Sequence, residues 1–131
     1  MRDPNNPCIF CNTKESGLVN ENSLAYSSYD TYPVSDLHYL IIPKRHIKDY
    51  FELNDDEVIA CNELIKKTKE EILVKDPSVK GFNIGTNAGK FAGQSVMHCH
   101  IHLIPRRKGD IKNPQGGVRG VIPTKQKYTK K

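Results

Sequence analysis

The chain has 131 residues, room for one compact domain and too few for two of ordinary size. It is 37% hydrophobic and 27% charged, and no run approaches the roughly 18 apolar residues of a membrane span, so a membrane span is excluded, no membrane partner is expected, and the globular core should be modest. The net charge of +5 is uneven: residues 105–131 hold nine Lys/Arg and one Asp, while 1–104 hold eleven Lys/Arg and fourteen Asp/Glu, a basic tail on a mildly acidic body.

Residues 1–22 read as irregular, broken by Pro4, Pro7, Gly17 and several Asn. The segment Met1–Pro7 lacks the apolar centre of a secretory signal, so the expected compartment is the cytoplasm. There the four cysteines, Cys8, Cys11, Cys61 and Cys99, do not suit a disulfide framework. Cys8-Ile9-Phe10-Cys11 alone leaves three readings open: a metal clip, a redox pair, or two buried thiols. Ser23 to Tyr29 is a short strand, Asp30-Thr31-Tyr32-Pro33 a turn, and Leu37 to Ile42 a strand ending at Pro43. A short helical segment is expected around Arg45–Phe51.

The clearest helix starts after Asn54, with Glu57 at the capping-box position and Asp55, Asp56 and Glu57 at the positive end of the helix dipole. Val58, Cys61, Leu64, Ile65, Thr68 and Ile72 recur at three- and four-residue steps, and Pro77 stops the helix near Leu73–Lys75. Phe82 to Thr86 reads as a strand, Asn87 to Gly93 as a Gly-rich loop, and Val96 to Ile104 as a strand ended by Pro105. The expected fold is a single α+β domain with a mainly antiparallel sheet, its core over about 7–106 and a basic, irregular tail over 107–131.

Side chains alternate faces along a strand, so His98, His100 and His102 share one wall at about 6.6–7 Å spacing, while Cys99, Ile101 and Leu103 face the core. Imidazoles titrate near neutrality and can ligate a metal, attack phosphorus or donate to phosphate oxygens. The preceding Gly93-Gln94-Ser95 favours phosphate: small residues allow close backbone approach and Gln and Ser offer uncharged hydrogen bonds. Four readings compete. They are covalent catalysis by histidine, a metallohydrolase with three histidine ligands, a nucleotide- or partner-binding module with weak catalysis, and nucleic-acid processing through the tail. The last is disfavoured, because the tail lacks a stacking pattern and no nucleic-acid-binding signature is present.

The run Gly93-Gln94-Ser95-Val96-Met97-His98-Cys99-His100-Ile101-His102-Leu103-Ile104-Pro105-Arg106 resembles the signature of the histidine triad family of nucleotide hydrolases and transferases. Leu37 to His46 resembles that family's second segment, and Leu24-Ala25-Tyr26 with Asp30 its first strand and ribose-contacting turn. The tail, Asn113 to Gln126, is similar to that of bacterial members. The resemblance implies a sheet of about five strands with one long and one short helix, and a two-fold homodimer. It implies His100 as nucleophile toward the α-phosphorus of a nucleotide, purine nucleotides foremost, with a nucleotidyl-histidine intermediate. His102, Ser95 and Gln94 would contact the phosphate, Asn87 and Gly93 the nucleotide, Asp30 the ribose, and His38 would support the site. Zinc-containing members use CxxC, a histidine after the Ile-Pro segment and the first triad histidine, which here are Cys8, Cys11, His46 and His98. Such a four-ligand zinc site would be structural.

Overall fold

The computed structural model describes residues 7–128; the expected irregular start at 1–6 and the last three residues of the tail lie outside it. In chain order the elements are α1 (Thr13–Ser16), β1 (Leu18–Glu21), β2 (Ala25–Tyr29), β3 (Tyr39–Pro43), α2 (Asp55–Lys75), β4 (Val79–Gly85) and β5 (Ile101–Arg107), with short 3-10 turns between and after them. The five strands form one antiparallel sheet in the order β1-β2-β3-β5-β4. The expected α+β class and strand number hold. No described helix is long and apolar enough to cross a membrane.

The long helix begins as its sequence dictates. The Asn54 side chain accepts from the Glu57 N–H, and the Glu57 carboxylate accepts from the Asn54 N–H at 2.9 Å. Glu57 is buried and also takes Arg45 at 2.7 Å, which ties the helix start to the segment after β3. Ala60, Cys61, Leu64, Thr68 and Ile72 form the buried face. Val58, expected among them, is 38% exposed, because the helix turns that position away from the sheet.

Strand alternation gives the sheet two different faces. Ala25, Tyr39, Ile41, Ile101 and Leu103 pack under α2. Tyr26, Leu40 and Ile42 face the other way and are covered by Phe10 from the segment between Cys8 and Cys11. Leu40 lies opposite His102, so the histidine belongs to this second face.

Four expectations need correction. Residues 1–22 are not wholly irregular: they contain α1 and the bulged edge strand β1, four residues each, too short to show a period. The strand expected over Val96–Ile104 instead runs from Ile101 to Arg107. Pro105 does not end it, because β3 stops at Tyr39 opposite Leu103 and leaves that flank of β5 without a neighbour needing an N–H. The Pro105 carbonyl is taken by the Ser35 hydroxyl at 2.8 Å. The helical segment near Arg45–Phe51 is a single 3-10 turn, Tyr50–Glu52, capped by Asp49. The tail is not formless: Arg119 donates to the carbonyls of Lys125 and Gln126, and lies over the Tyr128 ring.

Candidate active site and metal centre

The start of β5 at Ile101 changes how the three histidines are held. His98 and His100 precede the ladder, and their positions come from individual hydrogen bonds. The His98 ring is fully buried and its Nε2–H donates to the Pro43 carbonyl at 2.8 Å. A carbonyl only accepts, so Nδ1 carries the lone pair. That nitrogen lies 3.3 Å from Cys8 Sγ, 3.5 Å from Cys11 Sγ and 3.1 Å from His46 Nδ1. Cys11 Sγ is 3.1 Å from His46 Nδ1. The four ligand atoms lie within 4.8 Å of one another. Bonds of about 2.0–2.3 Å to a tetrahedral ion give ligand–ligand edges of roughly 3.3–3.8 Å, close to these distances. The donor set, two sulfurs and two nitrogens, is that of a closed zinc site. The Nε2–H bond to a carbonyl is the outer support that a metal-bound imidazole ordinarily has. The four residues proposed from the sequence are brought together.

His100 faces a different space. Its Nδ1–H donates to the His98 carbonyl at 2.8 Å. Its own carbonyl accepts from the Thr86 hydroxyl at 2.6 Å. With Nδ1 committed as donor, Nε2 of the neutral ring bears the lone pair. Phe10 packs on this ring with centroids 4.9 Å apart. His100 and His102 both line a cleft of about 580 Å³, together with Asp30, His38, Asn87 and Ser95. That is the size of a small-molecule site.

The neighbouring tautomers follow from one backbone amide. The Val34 N–H donates to His38 Nδ1 at 3.1 Å, so His38 holds its proton on Nε2. That N–H faces His102 Nδ1 at 2.9 Å and makes it an acceptor, which leaves the His102 proton on Nε2. Asp30 Oδ2 lies 3.4 Å from His38 Nε2 and 3.7 Å from His102 Nδ1. Burial pushes His38 below its ordinary pKa, and Asp30 only partly opposes this. Burial also pushes His102 down, reinforced by His100 and His38 and opposed by Asp30. Burial thus favours the neutral, donating form of both rings.

The metallohydrolase reading needs His98, His100 and His102 on one ion, and His98 Nδ1 instead faces the cysteines. Asp30, His38 and His102 are close enough to hold an ion. His38 would have to offer the Nε2 lone pair, yet the Val34 N–H already occupies the Nδ1 lone pair. These residues do not fit a metal, and His98 faces away into the cysteine cluster.

The depressed pKa values give a stability prediction. Between the folded and unfolded pKa of His38 and His102 the unfolded chain binds more protons, so stability rises with pH there. The protein should be less stable at pH 5 than at pH 7.5, with loss beginning as pH falls through about 6.5. Urea midpoints of metal-free protein at the two pH values check this. In His38→Gln/His102→Gln the difference should shrink; a midpoint difference unchanged by the double substitution would discard these two rings as its source.

Gln94 stands apart from the other expected contacts. Its side chain is buried and spent on backbone, accepting from the Gly89 N–H and donating to the carbonyls of Lys48 and Val96. It braces the loop that presents Asn87, Gly93 and Ser95, and does not line the cleft. Gly93 has φ +95°, a left-handed conformation that favours glycine. Cys61 and Cys99 are core: burial pushes their thiols up to about 11 and about 12. Three contributors were missed from the sequence. Phe10 and Ile9 line the cleft from between the cysteines, and their apolar character was the available signal. The Val34 amide is a main-chain group and left no signal at all.

The HIT domain model matches residues 12–109. Similar relatives include an uncharacterized 16.1 kDa HIT-like protein of Mycoplasma pneumoniae, 38% identical over 78% of this chain and 73% of that one. Adenosine 5'-monophosphoramidase HNT1 of Candida albicans is 32% identical over 76% of this chain and 70% of its own length. Among solved structures, a Zn-bound histidine triad family protein from Mycobacterium smegmatis superposes with a TM-score of 0.71 at 29% identity, covering 79% of this chain and 78% of that one.

Proposed function

The chain belongs to the HIT domain family, and from that premise we propose that it is a nucleotidyl hydrolase or transferase acting at the α-phosphate of a nucleotide, with His100 as nucleophile. The observation that carries the proposal is the His100 Nδ1–H bond to the His98 carbonyl, which assigns the lone pair of the neutral ring to Nε2 in a residue that lines the cleft. Nε2 attacks phosphorus, a P–N bond forms, and the bond from phosphorus to the leaving group breaks. The ring becomes cationic in the intermediate, and the His98 carbonyl stabilises the charge at Nδ1. The leaving group takes its bonding electron pair and a proton from solvent; water then adds to phosphorus and gives a proton back to solvent, the P–Nε2 bond breaks with its electron pair returning to Nε2, and a nucleoside monophosphate leaves with the neutral ring restored.

His102 offers its Nε2–H to the phosphoryl oxygens, and Ser95 its hydroxyl, as charge develops there. Asp30 and Asn87 take the ribose and nucleotide, with Gly93 allowing close approach. Gln94 holds their loop. Phosphoramidates are the preferred substrates, supported by the relative named as an adenosine 5'-monophosphoramidase; dinucleoside polyphosphates are the second class. Cys8, Cys11, His46 and His98 hold structural zinc, supported by the donor set and by the Zn-bound neighbour. Four protein ligands leave no position for substrate, so the ion shapes the fold. The protein works in the cytoplasm as a homodimer. Exposed Ile59 on α2 and Ile84 on the free edge strand β4 support a contact there.

The test is steady-state turnover of adenosine 5'-phosphoramidate, adenylated lysine and diadenosine tri- and tetraphosphate by zinc-loaded protein. Release of AMP from adenosine 5'-phosphoramidate with the highest kcat/KM of the four is expected. No nucleotide release from any of them would overturn the proposal and leave a binding module.

A further inference from the structure

Two separate connections run from the cysteine cluster to the catalytic ring. The first is the backbone of His98: its imidazole sits in the cluster, while its carbonyl orients His100. The second is Phe10, held between two cluster ligands. Its ring lies 6.0 Å from His98, edge to face, and 4.9 Å from His100. Its carbonyl accepts from the buried Tyr26 hydroxyl at 2.6 Å, which also bonds Ser16 at 2.9 Å. Ile9 and Phe10 are thus both part of the metal-binding turn and part of the cleft wall.

We infer that metal occupancy and nucleotide binding are thermodynamically coupled, and that Phe10 is the positioning residue that carries the coupling. A ligand that fills the cleft presses on Phe10 and so on the turn that holds Cys8 and Cys11. An ion that fixes the turn presents Phe10 in the shape the nucleotide needs, which removes an ordering cost from binding. Linkage requires the effect to be mutual: the factor by which metal tightens nucleotide binding equals that by which nucleotide tightens metal binding. The inference rests on the proposed nucleotide and zinc sites.

The test uses the full chain loaded with Co²⁺ in place of Zn²⁺, and AMP as the nucleotide. Visible absorption reports the ligand geometry around cobalt, and calorimetry reports AMP affinity. AMP should shift the cobalt bands of the wild type. Chelation should weaken AMP binding roughly tenfold. In cobalt-loaded Phe10→Ala, AMP should bind roughly tenfold more weakly, the bands should not move, and chelation should add little. Phe10→Leu, which keeps bulk but loses the ring, serves if the alanine variant does not fold. AMP binding with no band shift in the wild type would overturn the coupling and leave the nucleotide site standing. An equal shift in the Phe10 variants would overturn the role of Phe10. Failure of the wild type to bind AMP, or to bind cobalt through thiolates, would overturn the underlying nucleotide or zinc site, and the coupling with it.

Discussion

His100→Ala lowers turnover of adenosine 5'-phosphoramidate by at least ~10⁴-fold and leaves the circular dichroism and zinc content of the wild type. The size follows from the role. Alanine removes the atom that bonds to phosphorus, and no second nucleophile shares its position; His102, its neighbour in the cleft, has its Nδ1 lone pair taken by His38 and its proton on Nε2. The fold survives because His100 lies outside the strand ladder and its backbone is held by the Thr86 hydroxyl. His102→Ala should cost less, about 10²–10³-fold, as loss of one donor to the phosphoryl oxygens. Steady-state rates of both variants check the ordering. A His102 variant slower than the His100 variant would reverse the assigned roles.

Removing the metal, by chelation or by Cys8→Ser, lowers Tm by roughly 10–20 °C. The clip joins segments far apart in the chain: Cys11 and His46 are 35 residues apart, and His46 and His98 are 52 apart. Binding to the folded chain alone stabilises by about 4 kcal/mol when free metal is a thousandfold above Kd. The sheet and α2 make their own core, so the stripped protein still folds. Calorimetric melting with and without chelator measures the change. A Tm unmoved by chelation of zinc-loaded protein would rule out the clip.

Much of the site was legible because its chemistry sits in contiguous residues. Alternation placed Ile101 and Leu103 in the core and His102 on the opposite face, as found, but His98 and His100 precede the strand and His98 turns into the cysteine cluster instead of sharing that wall. The capping box at Asn54 and Glu57 set the start of α2. The limits of β5 were misread because local pattern does not register neighbours: Pro105 is tolerated only where β3 has ended. Gln94 was assigned to substrate because an amide beside a phosphate loop suggests it, and three backbone partners distributed over residues 48–96 claim it instead. The tautomers of His38 and His102 depend on the Val34 amide, which no side-chain pattern encodes.

Covalent catalysis by His100 is tested by rapid mixing of zinc-loaded protein with adenosine 5'-phosphoramidate, followed by alkaline quench and peptide mass analysis, because a phosphorus–nitrogen bond to imidazole is lost in acid. One adenylyl group is expected on the peptide containing His100, formed and lost at rates compatible with turnover, and none in His100→Ala. An adenylyl group on another residue, or wild-type turnover by His100→Ala, would contradict it.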